Sequence, residues 1–236
     1  MGTRQRVSLR SEKTASPPRP DSIGILQMRK YIAEFIGTFF LVLVIGMAVI
    51  GGKGDFSPIA IGSVLMCMVF AGAHVSGAHY NPAVTLAVLL RGRISLAEGI
   101  PYIIVQVIGS IAAAFIVKFL MHDKIPDAAG LMASTSNGLV AEVLGTFALA
   151  YVVLNVATAK GTTGNMFYGL SIGFTVLCMA YAFGAVSGGA FNPAVAVGIS
   201  LMRLASWSDF WVYLVGGFGG AALAAVVFRI NNPEDK

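Results

Sequence analysis

Val75-Ser76-Gly77-Ala78-His79-Tyr80-Asn81-Pro82-Ala83-Val84 and Val186-Ser187-Gly188-Gly189-Ala190-Phe191-Asn192-Pro193-Ala194-Val195 are two copies of one phrase. Asn is among the best helix N-caps, Pro is favoured at the first helical position, and Ala lets a helix propagate. Each Asn-Pro-Ala triplet therefore starts a short helix. The apolar stretches that hold them, Val75–Leu90 and Val186–Met202, are too short to cross a hydrocarbon core of roughly 30 Å. Two helices of about 10 residues, each roughly 15 Å long, match that thickness if they enter from opposite faces and meet nose to nose. The small-residue loops before the triplets are irregular backbone, tolerated at membrane depth only where it is buried in protein or lines a wet cavity. The carbonyls of Gly77, Ala78, His79, Gly188, Gly189 and Ala190 are thus candidates for a polar ladder along such a cavity. A lone triplet is usually a capped helix in a loop; two in equivalent settings are not coincidence.

Working outward, the duplication extends through the chain. Ala33-Glu34-Phe35-Ile36-Gly37-Thr38-Phe39 returns as Ala141-Glu142-Val143-Leu144-Gly145-Thr146-Phe147, and Gly62, Cys67, Met68 and Ala71 return as Gly173, Cys178, Met179 and Ala182. Six apolar segments approach the length of a membrane span: Tyr31–Ile50, Ser57–Ala73, Ile100–Met121, Gly138–Ala157, Met166–Gly184 and Ser208–Arg229. Three spans precede the second copy, so the copies lie upside down relative to each other, and inverted repeats place their working site at the bilayer midplane. The fold class is an all-α polytopic membrane protein of six transmembrane helices plus two re-entrant half-helices. Its expected organisation is a disordered cytoplasmic tail over 1–29, a channel domain over 30–230 (repeats about 30–121 and 138–229), and a short tail over 231–236.

Composition agrees with lipid as the solvent. The chain is 56% hydrophobic and 11% charged, less than half the charge of soluble domains, about 25%. No cleaved leader is expected, because the first 29 residues are polar, basic and proline-containing, with Pro17, Pro18 and Pro20. Arg4-Gln-Arg6-Val-Ser8 is a weak match to a basic-directed kinase site, the alternative being a solvated tail. The net charge of +5 forms no basic stripe with interleaved aromatics, which argues against nucleic acid. It sorts by face instead. Arg4, Arg6, Arg10, Lys13, Arg19, Arg29, Lys30, Arg91, Arg93, Lys160, Arg229 and Lys236 fall on one side, and Lys53, Lys118, Lys124 and Arg203 on the other. The positive-inside bias then puts both termini in the cytoplasm. Cys67 and Cys178 are expected to be buried, packed thiols, with no metal spacing and no cofactor signature. No nucleophile, base or metal constellation supports an enzyme. A secondary transporter on an inverted repeat is the alternative class, but Glu34 and Glu142 are the only span-interior acids available to it.

With these residues in place, the chain from Met28 to Arg229 resembles the aquaporins, the major intrinsic protein family. The marks are both triplets, the Glu34/Thr38 and Glu142/Thr146 pairs, the run Gly72-Ala73-His74-Val75-Ser76-Gly77-Ala78-His79, and Gln106. The resemblance implies a passive channel for water and small uncharged solutes (glycerol, urea or ammonia among them), a homotetramer with one pore per subunit, and residence in the plasma (cell inner) membrane. Glu34 and Glu142 admit two readings, proton carriage or a buried brace accepting N–H bonds from the re-entrant loops. The resemblance and the duplication favour the brace. His74 and His79 are read likewise as loop-fixing hydrogen-bonders.

The resemblance also exposes a departure. Aquaporins usually carry Arg directly after the second triplet, where this chain has Val195. Offsets from the motifs place the rest of the selectivity filter at Ile61, Ala180 and Gly189, so no donor side chain remains in the ring. The filter is therefore expected to be wider and more apolar than the aromatic, His and Arg ring of water-selective members. The Asp typical of glycerol-conducting relatives is replaced by Ala196, whereas Phe210-Trp211 resembles the water-channel branch.

Overall fold

The computed structural model describes residues 20–130 and 132–235. Arg4-Gln-Arg6-Val-Ser8 and most of the N-terminal tail lie outside the described residues. Among those residues every regular element is helical: α1 (Pro20–Ile50), α2 (Ser57–Ser76), α3 (Pro82–Arg91), α4 (Leu96–Leu120), α5 (Thr135–Val153), α6 (Tyr168–Ser187), α7 (Pro193–Leu201) and α8 (Phe210–Asn231). Six helices are long and apolar enough to cross a membrane, and α3 and α7 are the half-length pair.

The helices are inside-out relative to a soluble bundle. On α4, Ile104, Ile108, Phe115 and Phe119 form an exposed stripe, while Gln106, Gly109, Ser110, Ala113 and Ala114 face inward. Lipid tails are as apolar as these outer side chains, so helices associate through close packing of small residues and internal hydrogen bonds. α1 packs on α2 and α4, α5 packs on α6 and α8, and α2 against α6 joins the halves. At that crossing Gly62 and Gly173 face each other. A Cβ on Gly62 would stand 2.7 Å from the Gly173 carbonyl oxygen, and one on Gly173 would stand 2.5 Å from that of Gly62.

Local sequence sets several boundaries. Ser95 caps α4 by accepting from the Glu98 amide at 3.2 Å, and its hydroxyl donates to the Glu98 carboxylate at 3.2 Å. α5 runs into a π turn over Leu154–Thr158.

Two expectations are corrected here. Residues 20–29 are helical, the first turns of α1 and not tail. Gln27 on those turns and Lys30 just after them reach Glu98 of α4, a tertiary anchor that sequence hydropathy does not register. Cys67 and Cys178 are exposed on the outer faces of α2 and α6. A mid-span position in lipid need not be inside the protein, so apolarity alone did not decide their facing.

Candidate functional site

α3 and α7 begin at the centre of the bundle. Asn81 and Asn192 have extended backbone, and their Oδ1 atoms accept from Ala83 N at 2.8 Å and Ala194 N at 2.9 Å. The amide nitrogens cross between halves. Asn81 Nδ2 donates to the Phe191 carbonyl and Asn192 Nδ2 to the Tyr80 carbonyl, both at 2.9 Å. A carboxamide has two N–H groups, so each Asn keeps one without a partner among the described residues. Both asparagines line the central cavity.

The loops leading to these caps are held from behind. Glu34 accepts from Ser76 Oγ at 2.6 Å, His79 N at 2.9 Å, Tyr80 N at 2.7 Å and Gln106 Nε2 at 2.8 Å. Glu142 accepts from Ser187 Oγ at 2.6 Å, Ala190 N at 3.0 Å and Phe191 N at 2.7 Å. Both acids are fully buried. The loops need such support because Ala78, Tyr80 and Phe191 have φ of 52°, 50° and 47°, a left-handed backbone that costs side-chain-bearing residues of order 1–3 kcal/mol each. The Tyr80 and Phe191 rings fill space left by Gly37 and Gly145, where a Cβ would come within 2.1 and 2.2 Å of ring atoms.

Ile61, Ala180, Gly189 and Val195 come together on the same narrow cavity, of about 80 Å³, as Asn81 and Asn192. One water needs about 10–15 Å³ by this measure, so the cavity has room for a short file of water-sized molecules. A vestibule of about 510 Å³ opens toward the face carrying the termini, sharing His79 and Val153 with the cavity. Another, of about 430 Å³, opens toward the opposite face, sharing Ile61, Ala180, Gly188 and Ile199. The three lie in series through the bundle, each neighbouring pair sharing lining residues. Ala78, His79, Gly188, Gly189 and Ala190 line the central cavity, whereas Gly77 lines the vestibule on the terminal face. Leu41, Ile45, Leu149, Ile172 and Val176 form an aliphatic wall.

The sequence reading missed several polar partners. His79 Nδ1 lies 3.1 Å from Thr85 Oγ1, which also accepts from Gln106 Nε2 at 3.1 Å. Tyr102 and Tyr213 donate to the Ser76 and Ser187 carbonyls at 2.8 and 2.7 Å. The two tyrosines recur at the same spacing as Asn81 and Asn192, a signal available in the repeat. Ser110 Oγ donates to the Ala194 carbonyl at 2.5 Å. His74 departs from its expected role: it is exposed on α2 and makes no hydrogen bond among the described residues. No group of His, Cys, Asp and Glu suited to a metal occurs among them.

Six spans enclosing two half-helices, with a narrow polar-and-aliphatic path between two vestibules, define an integral membrane protein of the channel class. The model for the major intrinsic proteins matches residues 22–228, and the chain belongs to that family. It is 38% identical to glycerol uptake facilitator protein-like 6 of Lactiplantibacillus plantarum, over 88% of this chain and all of that one. It is 32% identical to probable aquaporin NIP4-2 of Arabidopsis thaliana, over 95% of this chain and 81% of that one. The solved aquaglyceroporin of Plasmodium falciparum has the same fold, with a TM-score of 0.78 at 24% identity, over 88% of this chain and 98% of that one.

Proposed function

We propose that the chain is a passive channel for water and small uncharged solutes, with an arginine-free selectivity filter formed by Ile61, Ala180, Gly189 and Val195. The observation that carries this reading is the convergence of these four residues, none with a charged or donor side chain, on the narrow cavity that the paired asparagines also line. The relatives named as glycerol uptake facilitator and aquaporin favour neutral solutes. At the centre, two half-helix N-termini bring partial positive charge, and the remaining Asn81 and Asn192 N–H groups hold the oxygen of a passing water. A water held by its oxygen does not relay a proton along the file, and cations meet the same field. The aliphatic wall offers an ion nothing to replace its hydration, a loss of tens of kcal/mol for a bare charge. Neutral molecules lose far less.

Glu34 and Glu142 act in this scheme as loop braces, with both carboxylate oxygens committed to donors. A homotetramer in the plasma membrane with both termini cytoplasmic is the arrangement that family resemblance and the basic-residue distribution support. Stopped-flow flux of water, glycerol, urea and ammonia into proteoliposomes tests the proposal. Linear, non-saturating flux with weak temperature dependence is the expected result; saturable, ion-coupled flux would put a secondary transporter in its place.

A further inference from the structure

At the terminal face Asp235 stands among arginines. Its Oδ1 accepts from Arg91 Nη2 at 2.6 Å and Arg93 Nη2 at 3.3 Å, and its Oδ2 accepts from the Lys160 amide at 2.7 Å. Arg91, Arg93 and Arg229 line one pocket of about 580 Å³ with Asn232 and Asp235, so three guanidinium groups face one carboxylate. Among the described residues no second carboxylate pairs with these arginines. The Arg91 side chain is only 4% exposed, its Nε has no partner among the described residues, and its guanidinium carbon lies 4.7 Å over the Phe228 ring. Arg229 donates to the Leu90 carbonyl, which holds it at the pocket wall. A site with three guanidinium groups around one carboxylate matches a tetrahedral oxyanion better than a single carboxylate, because planar forks bind phosphate oxygens in pairs.

We propose that Arg91, Arg93 and Arg229 form a phosphate-binding site in which the chain's own Asp235 sits as a displaceable internal ligand. The site lies where α3 and α8 end, at the level of lipid headgroups and within reach of dissolved phosphate. Occupation has a local consequence. Asp235 ties the Lys160 amide, next to the π turn over Leu154–Thr158, to the end of α3, and Lys160 Nζ donates to the Glu234 carbonyl at 3.2 Å. Arg93, Thr158 and Lys160 all line the vestibule, so displacement of Asp235 releases part of the pore mouth. The hydrogen bond from Lys160 and the charge of Arg91 hold the Asp235 carboxyl below the ordinary aspartate range, so the internal ligand is fully charged at neutral pH.

Hydrogen exchange at the Lys160 amide reads the displacement directly. The full chain is placed in vesicles of phosphatidylcholine, of phosphatidylcholine with phosphatidic acid, or of phosphatidylcholine with inorganic phosphate on the terminal face. Faster exchange at Lys160 with phosphatidic acid alone identifies a lipid headgroup, and with inorganic phosphate alone a soluble anion. Asp235→Asn removes two ion pairs, one of them buried, and is expected to tighten phosphate binding by at least about fivefold, the upper end for an exposed pair. Arg93→Gln, which removes one partly exposed guanidinium, should weaken it about two- to fivefold. Arg93 is exposed, so that variant does not disturb the buried Arg91. Unchanged exchange in all three vesicles, or phosphate binding indifferent to both substitutions, overturns the site.

Discussion

The two re-entrant loops share a backbone path but not a polar lining. In the first, His79, Thr85 and Gln106 join Glu34 in one hydrogen-bonded cluster. The equivalent positions in the second are Ala190, Ala196 and Gly217, and Glu142 is left with the Ser187 hydroxyl and two backbone amides. Features present in both halves, namely the acids, capping asparagines, serines, tyrosines and left-handed aromatics, build the fold. Features present in only one half distinguish the ends of the path. The first loop is held by the side chains of Glu34, Ser76, Thr85 and Gln106, whereas the second, which leads to Val195, is held by Glu142 and Ser187 alone of the corresponding positions.

The largest expected effect is at the braces. Glu34→Gln replaces an acceptor of four donors with a group that itself carries two N–H donors, and should destabilise the protein by about 3 kcal/mol or more, since hydrogen bonds to charged groups contribute about 1.5–3 kcal/mol. Glu142→Gln should cost less, about 2 kcal/mol, because it loses fewer partners. Thermal unfolding in detergent orders the two, and an equal or reversed order breaks the comparison between loops. A stable variant that has lost a pH-dependent flux would favour proton carriage instead.

Val195→Arg sharpens the comparison at the other end. A guanidinium brings five donors in rigid geometry, and Ala180 and Gly189 leave it space, so glycerol and urea permeability should fall at least about tenfold, a barrier increase of about 1.4 kcal/mol, with a larger share of water flux kept. Unchanged solute ratios in a folded variant would remove these four residues as the filter while leaving the fold intact.

The asparagines should behave alike if the centre is symmetric. Asn81→Asp and Asn192→Asp retain a cap but set a carboxylate against the carbonyl of Phe191 or Tyr80, and they add negative charge at the central barrier. Electrical recording on planar bilayers should find cation leak above wild type in both. Two folded variants with wild-type leak would refute the account of the barrier.

The smallest effect belongs to the one-sided cluster. His79→Ala makes the first loop resemble the second, where the position is already Ala190, and should cost about 1 kcal/mol with little change in solute ratios. A marked change in solute ratios would assign His79 to selection as well as to support.

Much of the architecture was legible because its causes are local. Asn-Pro-Ala is a cap and a first turn whatever surrounds it, and the spans are fixed by length and apolarity. The inverted arrangement follows from counting three spans between copies. The proposed filter positions came only through family offsets, since nothing in Ile61 or Ala180 marks a pore wall. The facing of Cys67 and Cys178 was misread because lipid and protein interior are equally apolar, so hydropathy cannot separate them.

By itself the sequence determined a membrane-spanning inverted repeat with two half-helices and two candidate braces, because capping, helix length and duplication act over neighbouring residues or by simple counting. Only the tertiary structure decided that Asn81 and Asn192 each donate to the other half's loop, that Thr85 and Gln106 join His79 and Glu34, that α1 reaches back to Pro20, and that Asp235 meets Arg91 across 144 residues. These contacts join elements distant in the chain, and their partners are set by how helices with close-packed glycines cross, a geometry no local pattern encodes.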